Sequence, residues 1–112
     1  MSTTIKLERT DWKSYFDTVA RELAGKQVEI EIASLDIGSQ VAARWLPALG
    51  VTYDEKNDLL AVIAEGLDHM ISHPREVFVE SEGGELRSIN AIDAEGASQI
   101  IRFRDPPAPP AA

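Results

Sequence analysis

Two imidazoles stand four residues apart in "EGLDHMISHPRE" (residues 65–76): His69 and His73, with Asp68 beside the first. On a helix this spacing puts both rings on one face. One helix can then offer two nitrogens to a metal, or an acid and a base to a substrate. Glu65 and Glu76 are close enough in sequence to add an oxygen. Two histidines still leave a zinc site short of ligands, and no nearby carboxylate follows a recognised ligand pattern. Pro74 also pushes His73 away from helical dihedrals, so the two rings need not point the same way. The stretch therefore reads as a short linking helix, opened by Asp68 and anchored by Leu67 and Ile71. Its histidines are expected at the surface or its boundary, and His69, His73 and Asp68 remain the weak candidates for a metal.

Other chemistry is thinner. "DEKNDLLAVIAE" places Asp54, Asp58 and Glu65 at positions one, five and twelve of a calcium loop. Lys56 occupies position three, where an oxygen belongs, and Leu59 occupies position six, where glycine makes the sharp turn. Glu29 and Glu31 share the wet face of an alternating strand, which predicts solvation rather than acid-base work. No serine lies in a Gly-flanked elbow, and the glycines of "SEGGEL" precede a strand rather than a phosphate-binding helix. No catalytic residue, cofactor or metal is assigned. Trp45 beside Arg44, at a Pro-Gly corner, is the residue pair most suited to anchor a protein contact, with core packing the competing reading of the tryptophan. Tyr53, just before a turn, suits cross-strand packing better than catalysis.

The elements that must position these residues follow from periodicity. In "TDWKSYFDTVARELAG" the apolar Trp12, Phe16, Val19, Ala20 and Leu23 recur at helical spacing, with Thr10 as a candidate N-cap and Gly25 as terminator. "KQVEIEIA" alternates with period two, as a half-buried strand does. "SLDIGS" is a turn, "QVAARWLPALGVTYD" reads as two strands broken near Pro47 to Gly50, and "DEKND" is a hairpin tip before "DLLAVIA". After the linking helix, "REVFVES", "LRSINAI" and "ASQIIRFR" read as three strands joined by Gly-bearing turns. The expected fold class is α+β: an N-terminal amphipathic helix packed on a mostly antiparallel, meander-rich sheet of six or seven strands, with the short helical link before the last three. Residues 1–104 form one domain. The tail "DPPAPPAA" (105–112) is expected to be extended and mobile, and its Arg104, Pro107 and Pro110 match a basic-first Pro-x-x-Pro pattern weakly, because Asp105 interrupts it.

Composition bounds the rest. The 112 residues are 44% hydrophobic and 27% charged, close to globular averages, and contain no cysteine, so disulfides and thiolate chemistry are excluded. The first residues lack the apolar core of a signal peptide, which predicts a soluble, cytoplasmic protein. The net charge of −8 is uneven. Residues 1–53 hold six Lys/Arg against seven Asp/Glu, and residues 54–112 hold five against twelve. Such a field repels phosphate backbones and anionic lipid, so the partner is neither nucleic acid nor membrane, and an electrostatically steered partner is basic.

"GVTYDEKNDLL", "LDHMISHPREVFV" and "DAEGASQIIRFR" together resemble a family of small bacterial proteins of unassigned function, domain of unknown function family 5335. The resemblance covers roughly residues 10 to 104. It implies a bacterial, cytosolic, single-domain setting and assigns no role to any residue. The functional expectation is a small acidic binding or interaction module without enzymatic activity. Its partner is an unknown protein or a second copy of this chain paired through an exposed sheet edge. The alternatives are a metal-dependent or acid-base enzyme using His69 and His73, and an acidic decoy that occupies a basic surface.

Overall fold

The computed structural model describes residues 2–107. In chain order these form β1 (Ser2–Lys6), a 3-10 turn (Arg9–Asp11), α1 (Trp12–Val19), a second 3-10 turn (Ala20–Glu22), β2 (Gln27–Ser34), β3 (Gly38–Asp54), β4 (Leu59–Ala64), β5 (Leu67–Ser72), β6 (Glu76–Glu82), β7 (Glu85–Ile92) and β8 (Ser98–Arg104). The strands make one sheet in the order β1-β6-β7-β8-β2-β3-β4-β5. Every pairing is antiparallel. The α+β expectation is thereby corrected. With eight strands among the described residues, rather than six or seven, and one eight-residue α-helix, the protein is nearly all-β.

Two additional strands, β1 and β5, and the merging of two expected strands into β3 account for the difference. The stretch containing His69 and His73 is strand β5 rather than a linking helix: Leu67, His69 and Ile71 turn inward while Asp68, Met70 and Ser72 are exposed. Gly66, at a φ of +80°, closes a two-residue turn between β4 and β5 that only a residue without Cβ adopts easily. β1 was not legible either, because all five of its residues are exposed and so carry no apolar alternation.

β3 explains how one sheet encloses a core. Its 17 residues run through several register shifts, which bend it. Its first part pairs with β2 and its last part with β4, with register shifts opposite Glu29, at Ala42 and between Ala48 and Gly50. At the first shift Arg44 and Trp45 oppose one residue of β2, and Trp45 takes a φ of +52°, a bulge that bends the strand and sharpens its twist. The expected break near Pro47 is thus a bend within one continuous strand. The far part of the sheet folds back until His69 of β5 reaches Gln99 of β8, although β2, β3 and β4 lie between those strands in the sheet order.

The enclosed face is apolar. Val28, Ile30, Val77, Val79, Ile89 and Ile101 line one side, and Val51, Leu60, Val62 and Ile71 the other, all buried. The helix contributes Trp12, Phe16 and Val19, followed by Leu23, which are buried at the spacing the sequence predicts. Asp11, not Thr10, stands at the helix N-cap, and its side chain makes no capping hydrogen bond. Gly25, at a φ of +83°, turns the chain into β2. Asp105 accepts a 2.7 Å hydrogen bond from Lys26; residues 108–112, most of the Pro-rich tail, lie outside the described residues.

Candidate functional site

The two histidines do different things. Because β5 is extended, four residues separate their Cα atoms by about 13 Å rather than one helical turn, and the two rings are engaged by different partners, Gln99 and Asp58. Asp68 lies on the opposite pleat from His69, exposed and across from Ile63. Among the described residues no group of three or more His, Asp or Glu side chains converges to hold a metal ion.

His69 Nε2 lies 2.7 Å from Oε1 of Gln99, a polar residue buried to 8% exposure. Gln99 in turn donates from Nε2 to Asp93 Oδ2 at 3.1 Å. A carboxylate only accepts, so the Gln99 amide is oriented with its oxygen toward His69, and His69 Nε2 must carry the proton. Burial pushes the Asp93 carboxyl up, but Gln99 and the backbone N–H groups of Ala97, Glu95 and Gly96 together outweigh it and hold Asp93 below the usual range. This chain of donors ties β5 to β8 and to the turn before β8. It closes the curled sheet.

A second cluster gathers around Asp58. The side chain of Asp58 projects from the β3–β4 turn at a φ of +50°, where Asp is tolerated better than most residues. Its Oδ1 accepts from the Tyr53 hydroxyl at 2.6 Å and from Arg9 Nη1 at 3.2 Å, and its Oδ2 lies 3.2 Å from His73 Nδ1. Arg9 Nη2 also donates to the Pro74 carbonyl at 2.8 Å, and the guanidinium covers the Trp12 ring at 4.3 Å. Trp12 meets Tyr53 edge to face at 5.2 Å and donates from Nε1 to the Leu7 carbonyl. The Tyr53 hydroxyl holds Asp58 below the usual carboxylate range, while burial and then the Asp58 carboxylate push Tyr53 up to about 12. An acid-base pair works best with pKa values near the working pH, and these two move away from it in opposite directions. The arrangement is a clasp joining the helix start, the β3–β4 tip and the β5–β6 connection. His73, at a φ of +51°, belongs to it through its side chain and through its backbone N–H on the Asp58 carbonyl. Sequence reasoning passed over Arg9 and weighed Asp58 only as a position of a rejected calcium loop. The one available signal was the turn sequence "YDEKND", which returns Asp58 beside Tyr53.

Asp54 accepts hydrogen bonds from the backbone N–H groups of Lys56 and Asn57 and from the Asn57 amide, so its carboxylate is used by the turn rather than by a cation. Glu29 and Glu31 are paired to Arg102 at 3.2 and 2.8 Å and largely shielded from water, where free solvation was expected. Trp45 is half-buried outside the core, with Arg104 stacked over its ring at 4.0 Å; Arg44 beside it is exposed. On the outer face, Phe78, Asn90 and Ile100 form one cross-strand row and Thr4, Glu80 and Ser88 the next. They line an open cleft of about 500 Å³ in which the buried Oδ1 of Asn90 has no hydrogen-bond partner.

Backbone groups at both ends of the sheet, on β1 and on β5, lack a second strand neighbour among the described residues, and the register of β1 shows which of its groups are open. Leu7 N–H donates to the Val77 carbonyl at 2.8 Å, and Leu7 lies opposite Val77 in the antiparallel register that pairs Lys6 with Phe78. With a period of two, Ile5 and Thr3 also point their N–H and C=O groups at β6, whereas those of Ser2, Thr4 and Lys6 point away from it. β6 is the one neighbour of β1 among the described residues. Three donors and three acceptors therefore line an open edge.

Fold and geometry together define a small, nearly all-β protein with a curled antiparallel sheet, whose polar clusters clamp strands and helix and whose first strand leaves an edge unpaired. The chain belongs to a family of unknown function (DUF5335), whose model matches residues 3–112. It is similar to an uncharacterised protein of Aquifex aeolicus (strain VF5), 36% identical over 99 residues that cover 88% of this chain and 89% of that one. No solved structure matches it. No helix among the described residues is long and apolar enough to cross a membrane.

Proposed function

We propose that this protein is a non-catalytic interaction module that engages its partner by accepting a strand on the open edge of β1. The observation that carries the reading is that edge: five exposed residues whose outward N–H and C=O groups repeat at Ser2, Thr4 and Lys6. Unpaired edges invite strand addition, and main-chain hydrogen bonds supply the affinity. Natural edges are commonly guarded by proline, bulges or several charges, and β1 has one lysine. The polar clusters support the non-catalytic part, since Asp58 and Tyr53 are held in their ionised and protonated forms and the histidines stand apart. The charge of −8 favours neither nucleic acid nor an anionic membrane as partner.

Thr4→Pro tests the reading, because it removes an outward N–H while leaving the β1–β6 ladder whole. Self-association is followed by sedimentation, and peptide binding by panning a displayed seven-residue library against wild type and variant. The expected result is association of one kind or the other in the wild type, lost in Thr4→Pro with circular dichroism and melting unchanged. Association that survives Thr4→Pro, or none of either kind, overturns it.

A further inference from the structure

The occupant of that edge follows from its own register, and we infer that it is a second copy of this chain, β1 against β1 in an antiparallel pair centred on Thr4. The inference rests on the strand-accepting reading above and adds the partner. The outward groups belong to Ser2, Thr4 and Lys6, an odd-numbered set symmetric about Thr4. Two copies related by a two-fold axis can therefore align Thr4 with Thr4, Ser2 with Lys6 and Lys6 with Ser2. All three outward residues of each copy then form hydrogen-bonded pairs, giving six bonds, and no slipped register of the same strand uses all three.

The side chains agree with that register. On the enclosed side Ile5, 49% exposed in the single chain, comes opposite Thr3 of the second copy in a close, non-hydrogen-bonded pair. Two β-branched residues then cover each other and Ile5 loses its exposed flank. On the outer side Lys6 bridges Glu76 of its own β6 at 3.3 Å, and the register sets it beside Ser2 of the second copy, whose neighbour on β6 is Glu82. Each lysine is then flanked by carboxylates from both copies, and no like charges face each other across the axis. The product is one continuous sheet running through both copies, a closed two-fold assembly that leaves no further β1 edge for growth.

Five residues per strand form a small contact, which places the affinity in the micromolar range or weaker. The two bodies each carry −8 and repel at a distance, so screening helps them meet. A self-pair tightens as salt rises from about 20 to about 200 mM, whereas a basic partner would bind more weakly over the same range.

The chain has no cysteine, so single cysteines report the register directly. A hydrogen-bonded antiparallel pair separates its Cα atoms by about 5.5 Å, within disulfide reach, whereas the diagonal distance between two Thr3 residues in this register is about 8 Å, beyond it. Full-length Thr4→Cys should form a cross-linked dimer under mild oxidation and Thr3→Cys should not. Sedimentation should show a concentration-dependent dimer in the wild type, absent in Thr4→Pro and weakened about tenfold or more in Lys6→Glu, which puts a carboxylate beside Glu82 of the other copy. A wild type that stays monomeric to about 1 mM while binding library peptides in a Thr4→Pro-sensitive way overturns the second copy and leaves the strand-accepting edge standing. A dimer indifferent to Thr4→Pro overturns both. Cross-linking through Thr3→Cys but not Thr4→Cys overturns the register.

Discussion

If the Asp58 clasp is structural, removing its two central members must cost less together than the single changes imply. Asp58→Ala strips the acceptor from the Tyr53 hydroxyl, on a residue that is 5% exposed, and leaves a buried phenol whose proton has no partner; that costs about 1–3 kcal/mol. Alanine at a φ of +50° adds about 1 kcal/mol that Asp largely avoids. The pair with Arg9, whose side chain is half exposed, adds roughly 0–1 kcal/mol. The total is about 2–5 kcal/mol, a large share of the roughly 5–15 kcal/mol that keeps a domain folded. Tyr53→Phe removes the donor but leaves Asp58 accessible to water and Arg9, for about 1–2 kcal/mol. In the double variant no phenol is orphaned, so the measured cost should fall short of the sum of the singles by about 1–2 kcal/mol. Urea denaturation of the four proteins at neutral pH gives these numbers. Costs that add to within about 0.5 kcal/mol would refute the argument, because they would mean that phenol and carboxylate do not depend on each other.

Acid should reveal the same carboxylates. The Tyr53 hydroxyl depresses Asp58, and the donors around Asp93 depress it against its burial; a depressed group contributes fully above its unfolded pKa, about 3.9, and loses that contribution as pH falls through the folded value. Stability should therefore decline below about pH 4, and Asp58→Asn should make the decline shallower; an acid limb identical in wild type and variant counts against it. Phe16→Ala empties a site of 0% exposure between helix and sheet and should cost about 3–5 kcal/mol in the same urea assay, with a cost under about 1 kcal/mol showing that the helix is not part of the core. Tag-free protein should take up no stoichiometric zinc, and His73→Ala should leave its metal content unchanged; bound metal that disappears in a folded His73→Ala would restore the metal-enzyme alternative.

What the residues alone made legible is local. Alternation in "KQVEIEIA" and the last three strands, helical spacing of Trp12, Phe16, Val19 and Leu23, and the turn residues of "DEKND" and "EGGE" each act within a few residues of chain, so they could be read directly. "LDHMIS" also alternates, but its two histidines at helical spacing and the proline after them drew it toward a helix; burial of Leu67, His69 and Ile71 on one pleat decides for a strand. Features that depend on distant pairing emerged only in the folded chain. β1 carries no buried face, and its partner β6 begins 70 residues later, so nothing near Ser2–Lys6 announces a strand. The bulges along β3 bend the sheet, and the curled sheet brings His69 to Gln99; Arg9 finds Asp58 because the helix packs where β3 ends. Periodicity selects which face of an element is dry, but which strand lies beside it is set by the competition of all strands for one core and for each other's backbone groups. The open edges of β1 and β5 are what that competition left over.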